Sequence, residues 1–178
     1  MFIQPNSYCR LSQDYWCHSL DAIVCGIIFV RSMDEFQSKD PNFKKKIRER
    51  LSGQHFMHYM GFDLSEIEAG KIVGEMPIEK IHLQQYGFIH GGVSATILDI
   101  VMGFAAYTLM PVDKGVVTAN ISVDYLHPGD GDTILAIGEV EKPGKKMVFT
   151  TGEVFVVKDG VRKKIASARA VMAVIDTK

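Results

Sequence analysis

Two periodicities divide the chain. Over residues 93–110 apolar side chains fall on nearly every face of a helix, and Asp99 carries the one charge. The remaining polar side chains there are Ser94, Thr96, Thr108 and the edge of Tyr107. Such a segment reads as a helix buried on all sides, with Pro111 as its stop, because proline cannot continue the hydrogen-bond ladder. After Gly115 the period becomes two. Val117, Ala119, Ile121, Val123 and Tyr125 alternate with Thr118, Asn120, Ser122 and Asp124, which predicts a half-buried strand. Residues 133–140, 147–157 and 164–175 read as three further strands. His127-Pro128-Gly129-Asp130-Gly131-Asp132 is a turn. Lys142-Pro143-Gly144-Lys145 has the proline and glycine of a type II turn, and Asp159-Gly160 is a hairpin turn. Upstream, Asp40-Pro41 reads as the N-cap and first residue of a short basic helix, FKKKIRERLS, stopped at Gly53. Residues 56–64 and 71–78 are predicted strands. Two strands, one long buried helix and four meandering strands make an α+β fold. Its simplest packing wraps a curved antiparallel sheet around the helix.

Composition narrows the function classes. The chain has 178 residues, enough for one domain with a real core, and 47% hydrophobic and 23% charged residues are ordinary for a globular protein. A net charge of −1 gives no general pull toward nucleic acid or a membrane surface, and neither partner is expected. No run approaches the roughly 18 apolar residues of a membrane span. Cys9, Cys17 and Cys25 match no zinc spacing, so no metal site is expected; a reducing, cytoplasmic compartment fits them. Residues 1–32 show neither helical amphipathicity nor strand alternation. They read as an N-terminal extension outside the core, upstream of a natural start at Met33, which leaves 33–178 as the single domain. The alternative is a signal peptide, against which stand a basic region of Arg10 alone and Asp21 beside the apolar run. The basic helix is expected to present a solvated face, the alternative being a phosphate site.

The chemistry concentrates at 84–110. His90-Gly91-Gly92 opens the long helix, and a glycine pair there leaves backbone N–H groups bare and approachable. A lone carboxylate in an apolar helix is costly unless it is paired or used; the plain alternative is an aspartate satisfied by neighbouring hydroxyls. His90 and Asp99 lie nine residues apart, about two and a half turns, so Asp99 points roughly opposite to the helix start and about 12 Å further along. One chain cannot easily bring both to one small group. Two antiparallel copies related by a two-fold axis would, giving two sites per dimer. His55, His58, His82 and His127 have no ligand spacing and read as structural.

This order of elements, with a helix entered through HGG and carrying an aspartate, resembles the hotdog-fold thioesterases, and within them the PaaI-like (phenylacetate-degradation type) acyl-CoA thioesterases. The resemblance covers roughly 54–176 and rests on GFIHGGVSATILD (87–99), VTANISVDYLHP (117–128), GEVEKPGKKMVF (138–149) and MAVI (172–175). It implies a role for each matching residue. Gly91 resembles the glycine whose backbone N–H polarises the thioester carbonyl, a task suited to a helix N-terminus. Asp99 resembles the catalytic carboxylate, either nucleophile or general base. His90 shapes the loop, contacts the carbonyl region or simply caps the helix. Thr118 stands where relatives position water near the carboxylate of their own subunit. Gln84 replaces an asparagine common in relatives, and its longer arm changes its reach. Gly92, Gln85, Asn120, Lys145 and Lys146 complete the implied substrate set, the two lysines near the phosphates of coenzyme A, although turn lysines are ordinarily only solvated.

The implied reaction is hydrolysis of an acyl-CoA thioester to a free acid and CoA. It uses no metal or redox cofactor, CoA being part of the substrate, and runs in a homodimer or, by analogy, a homotetramer made of two dimers. Two other readings stand beside it. A hotdog acyl-thioester dehydratase or hydratase usually pairs a histidine with its carboxylate. A non-catalytic acyl-CoA binder would have no need to bury one.

Overall fold

Two glycines make room for the central helix. Gly138 and Gly152 are cross-strand partners in neighbouring strands. A Cβ on Gly138 would come within 2.5 Å of the Val101 carbonyl, and one on Gly152 within 2.9 Å of Leu98. The pair forms a trough in which the helix backbone lies directly on the sheet. Ile97, Leu98, Val101, Met102, Ala105 and Ala106, on the helix, are fully buried there, each larger side chain contributing about 1.5–3 kcal/mol by leaving water.

The computed structural model describes residues 36–177. The elements are α1 (Phe43–Ser52), α2 (His55–Met60), β1 (Asp63–Glu68), β2 (Lys71–Pro77), a 3₁₀ turn (Lys80–His82), α3 (Gly91–Tyr107), β3 (Lys114–Tyr125), β4 (Thr133–Lys142), β5 (Met147–Lys158) and β6 (Val161–Asp176). The six strands form one curved antiparallel sheet in the order β1-β2-β4-β5-β6-β3, with α3 packed against it. This is the α+β hotdog architecture expected, but the four strands after α3 do not simply meander: β3 pairs with β6 and not with β4. Strands β1 and β3 are its edges. Asp159 (φ 50°) and Gly160 (φ 77°) turn β5 into β6, the left-handed pair that suits a type I′ hairpin. No helix among the described residues is long and apolar enough to cross a membrane. The expected extension at 1–32 lies outside the described residues.

Several local expectations are corrected. Residues 55–60 are helix α2, not the start of a strand. Met57 and Met60 are buried three residues apart, and Gly61 closes the helix with a left-handed φ of 70°, a common helix stop. The first strand comes only at Asp63. Helix α1 begins at Phe43 rather than Pro41; the Asp40 carboxylate instead accepts the Asn42 N–H at 2.9 Å and pairs with Lys46 at 2.6 Å. Helix α3 ends at Tyr107, before Pro111. The Thr108 hydroxyl donates to the Ala105 carbonyl and accepts the Gly70 N–H, which ties the helix end to the β1–β2 turn. The 142–145 turn is not type II, because Gly144 lacks the left-handed φ that turn needs. Glycine is required there for space: a Cβ would sit 2.4 Å from the Met147 carbonyl oxygen.

The alternation read in β3 also breaks. A bulge at Ala119 shifts the register between Thr118 and Asn120. Before it Val116 packs on the core, and after it Ile121 and Val123 do. One extra residue moves the inward set from even to odd positions. Thr118, on the polar face of an unbroken strand, thereby turns toward α3.

Candidate active site

At the start of α3 the backbone donors are almost all taken. The His90 N–H donates to the His82 carbonyl at 2.9 Å and the Val93 N–H to the His90 carbonyl at 2.9 Å. The Gly92 N–H donates to His90 Nδ1 at 2.9 Å. His90 is therefore the N-cap, and since Nδ1 accepts, the neutral ring carries its proton on Nε2. The Gly91 N–H has no acceptor among the described residues. One bare donor remains on a half-exposed glycine at the positive end of a 17-residue helix, where developing negative charge is favoured.

Gly91 shares a cleft with Gln84, Phe88, Ser94 and Tyr125. Tyr125 covers it: its hydroxyl donates to the Gly91 carbonyl at 3.1 Å, and a Cβ on Gly91 would meet the ring at 3.2 Å. The Gln84 side-chain oxygen accepts the Tyr86 N–H at 2.9 Å, so its NH₂ is the part left for a ligand. Gln85 and Gly92 are exposed beside this loop. Beneath the loop, His82 is buried. The Glu79 N–H donates to its Nδ1, and its Nε2 has no partner among the described residues.

Asp99 opens into a different space, a cavity of about 600 Å³ that Thr118 also lines. The Thr118 hydroxyl donates to Asp99 Oδ1 at 2.6 Å. Asp99 is half-buried, so the monomer leaves its second oxygen approachable. Gly91 and Gln84 do not line this cavity, and Asp99 and Thr118 do not line the Gly91 cleft. One chain thus brings the expected residues together as two half-sites. Asn120 is exposed on β3 just past the bulge. Lys145 and Lys146 are exposed in the β4–β5 loop and line neither space. Among the described residues no group of three or more His, Cys, Asp or Glu is placed to hold a metal.

Comparison with known proteins shows what the chain resembles. Residues 86–163 match the model of the thioesterase superfamily. Acyl-coenzyme A thioesterase 13 of Homo sapiens is 27% identical over 118 residues, 64% of this chain and 82% of that protein. A solved thioesterase family protein from Silicibacter pomeroyi superposes with a TM-score of 0.74 at 29% identity, covering 76% of this chain and 99% of its own. The PaaI protein of E. coli, from the phenylacetic acid degradation operon, shares the fold with a TM-score of 0.70 at 21% identity, covering 79% and 99%. Over residues 86–163 the chain is similar to the thioesterase superfamily, and its described residues carry the hotdog fold. A Caenorhabditis elegans protein named as an esterase is 35% identical over 89 residues, 49% of this chain; the match spans about half, 52%, of that relative's length.

Around these two half-sites, sequence reasoning missed Tyr125, Tyr107 and Arg50. Tyr125 was legible only as an alternating strand residue, and nothing in its spacing shows that it covers Gly91. Arg50 lines the Asp99 cavity from α1, its Nε–H donating to the Tyr107 hydroxyl at 2.7 Å and its guanidinium 4.8 Å from the ring centroid. In the sequence it is one of several cations on a helix whose face reads as solvated. Lys44, Lys45 and Arg48 do form surface ion pairs, as a solvated face implies, whereas Lys46 pairs with the buried Asp40.

Proposed function

We propose that this protein hydrolyses acyl-CoA thioesters at a site shared between two subunits. The observation that carries the reading is the separation of the two half-sites: a bare Gly91 N–H in one cleft and an Asp99–Thr118 pair in another cavity of the same chain. A two-fold dimer of antiparallel α3 helices joins Gly91 of one subunit to Asp99 of the other. The free edge of β3 is the natural seam for such a dimer, since an edge strand presents unpaired backbone donors and acceptors. Two such dimers make the tetramer.

In this reading the Gly91 N–H receives the thioester oxygen. Asp99, oriented by the Thr118 hydroxyl, uses its free oxygen to take a proton from water. The hydroxide adds to the carbonyl carbon, the oxyanion collapses, the C–S bond breaks and CoA leaves as its thiolate. A thiolate is a good leaving group, so the demand falls on nucleophile and oxyanion rather than on acid assistance. Direct attack by Asp99 is the other form of the same chemistry, and water labelled with ¹⁸O distinguishes them, since only direct attack puts label into the aspartate in a single turnover. The human relative's name specifies an acyl-CoA thioesterase, which supports CoA as the carrier. A dehydratase finds no support: among the described residues no histidine lines the Asp99 cavity, and His90 is engaged as a cap.

Thiol release from a panel of acyl-CoAs tests the proposal. Cleavage by the wild type that drops in Asp99→Asn supports it. A wild type that binds acyl-CoA without releasing thiol would make the protein a binder.

A further inference from the structure

The Asp99 cavity has two chemically different ends. Asp99, Gly103 and Tyr107 follow one another at four-residue steps along one face of α3, a path of about 12 Å. Ile100, Phe104, Val116 and Met172 give this path apolar walls. Gly103 keeps it open, since a Cβ there would meet no atom within 4 Å. Asp99 and Thr118 stand at one end. At the other stand Tyr107, Arg50 and Gln54. The Tyr107 hydroxyl and ring hold the Arg50 guanidinium through its Nε–H.

Arg50 differs from its neighbours on α1. Lys44, Lys45, Lys46 and Arg48 each meet a carboxylate, whereas Arg50 meets none among the described residues. With Nε–H occupied by Tyr107, the two terminal nitrogens remain as a planar fork, the geometry that grips a carboxylate with two parallel hydrogen bonds. The half-buried Gln54 makes no side-chain hydrogen bond among the described residues and offers a further donor. A plain alkyl end would strip water from these groups and return no hydrogen bond.

We infer that this cavity selects acyl groups ending in a carboxylate, that is, CoA monothioesters of dicarboxylic acids, with Arg50 binding the distal carboxylate; this rests on the thioesterase reading above. Asp99 sets the length. A distal carboxylate lying near it is repelled, so short diacids are disfavoured. At roughly 1.2 Å per bond of an extended chain, a path of about 12 Å takes an acyl chain of about ten bonds.

The test compares kcat/KM for sebacoyl-CoA with that for decanoyl-CoA, and succinyl-CoA with butyryl-CoA. The wild type is expected to favour sebacoyl-CoA over decanoyl-CoA by about tenfold or more, as a site built for a polar group does, with no such preference in the short pair. Arg50→Met should bring the long-pair ratio below one. Arg50→Lys, which keeps the charge and loses the fork, should fall between, and it carries the test should Arg50→Met melt early. A wild-type long-pair ratio near one overturns the inference while leaving hydrolysis intact. So does an equal fall on both long substrates in Arg50→Met, or weaker inhibition of that variant by free CoA, which would place Arg50 on the CoA phosphates. No hydrolysis of any member overturns the thioesterase reading and the inference with it.

Discussion

The Thr118 hydroxyl reaches Asp99 Oδ1, at 2.6 Å, because one extra residue in β3 turns the threonine toward the helix. Its donor fixes one carboxylate oxygen and leaves the other for water. Thr118→Val keeps the shape and removes the donor. We expect kcat to fall roughly tenfold or more, within the range for general-base positioning, and KM to move less. Equal steady-state constants for Thr118→Val and wild type would leave the threonine as an ordinary strand residue.

What the sequence made legible follows from which interactions are local. The buried helix showed because its apolar residues cover every face, and the Asp159-Gly160 turn because two left-handed φ values favour that pair. Gly91 and Asp99 showed through spacing along a single helix. The bulge at Ala119 did not: it is a shift of pairing with β6, and no residue of β3 announces it. Helix α2 was hidden by its shortness; six residues with two buried methionines fit strand and helix almost equally well. Arg50 was hidden because its role depends on Tyr107, 57 residues away.

Gly138, on the sheet against α3, and Gly103, on α3 itself, give a stability contrast. Gly138→Ala drives a methyl into the Val101 backbone, and overpacking of this kind costs about 1–3 kcal/mol. Gly103→Ala adds a methyl where no atom lies within 4 Å and replaces a helical glycine, a gain of about 0.5–1 kcal/mol. Urea titrations should therefore move the midpoint down for the first and up for the second. Larger residues at Gly103 should fold yet lose long acyl substrates, because they fill the cavity floor.

Stability should fall on the acid side partly through Asp40. Its hydrogen-bonded pairing with Lys46, then the Asn42 N–H, holds the carboxyl below the usual carboxylate range. A depressed folded value stabilises the fold above the unfolded pKa of roughly 4 and loses that contribution as pH drops through the lower folded value. Asp40→Asn should be less stable than wild type at neutral pH, and the gap should close in acid as pH falls through the lowered folded value. Denaturant curves at neutral and acid pH check this; a gap that persists in acid assigns the loss to packing instead.

Lys145 and Lys146 lie exposed after Gly144 and are expected to meet CoA phosphates. Changing both to alanine should raise KM for acyl-CoA, flatten its dependence on salt and leave kcat nearly unchanged, since exposed charges act over a screened distance. Initial rates across an ionic-strength series decide it. An unaltered KM leaves them as solvated turn residues.

The shared site has the sharpest test, because its halves can be broken separately. Asp99→Asn keeps the side chain's shape and removes its charge, so kcat should drop about 10²-fold or more. Gly91→Pro deletes the bare N–H, and a proline at the first helical position fits helical φ, although its ring must displace Tyr125, whose carbon lies 3.2 Å from where a Cβ would sit. Each homodimer carries two identically broken sites. A dimer of one Asp99→Asn and one Gly91→Pro subunit has one site with both defects and one with neither. After subunit exchange about half the dimers are mixed, so activity should recover to roughly a quarter of wild type per site. Light scattering establishes the assembly, and differently tagged subunits establish exchange. If the tagged heterodimer is isolated and remains as inactive as its parents, with both parents folded, then Gly91 and Asp99 do not serve one thioester across the interface.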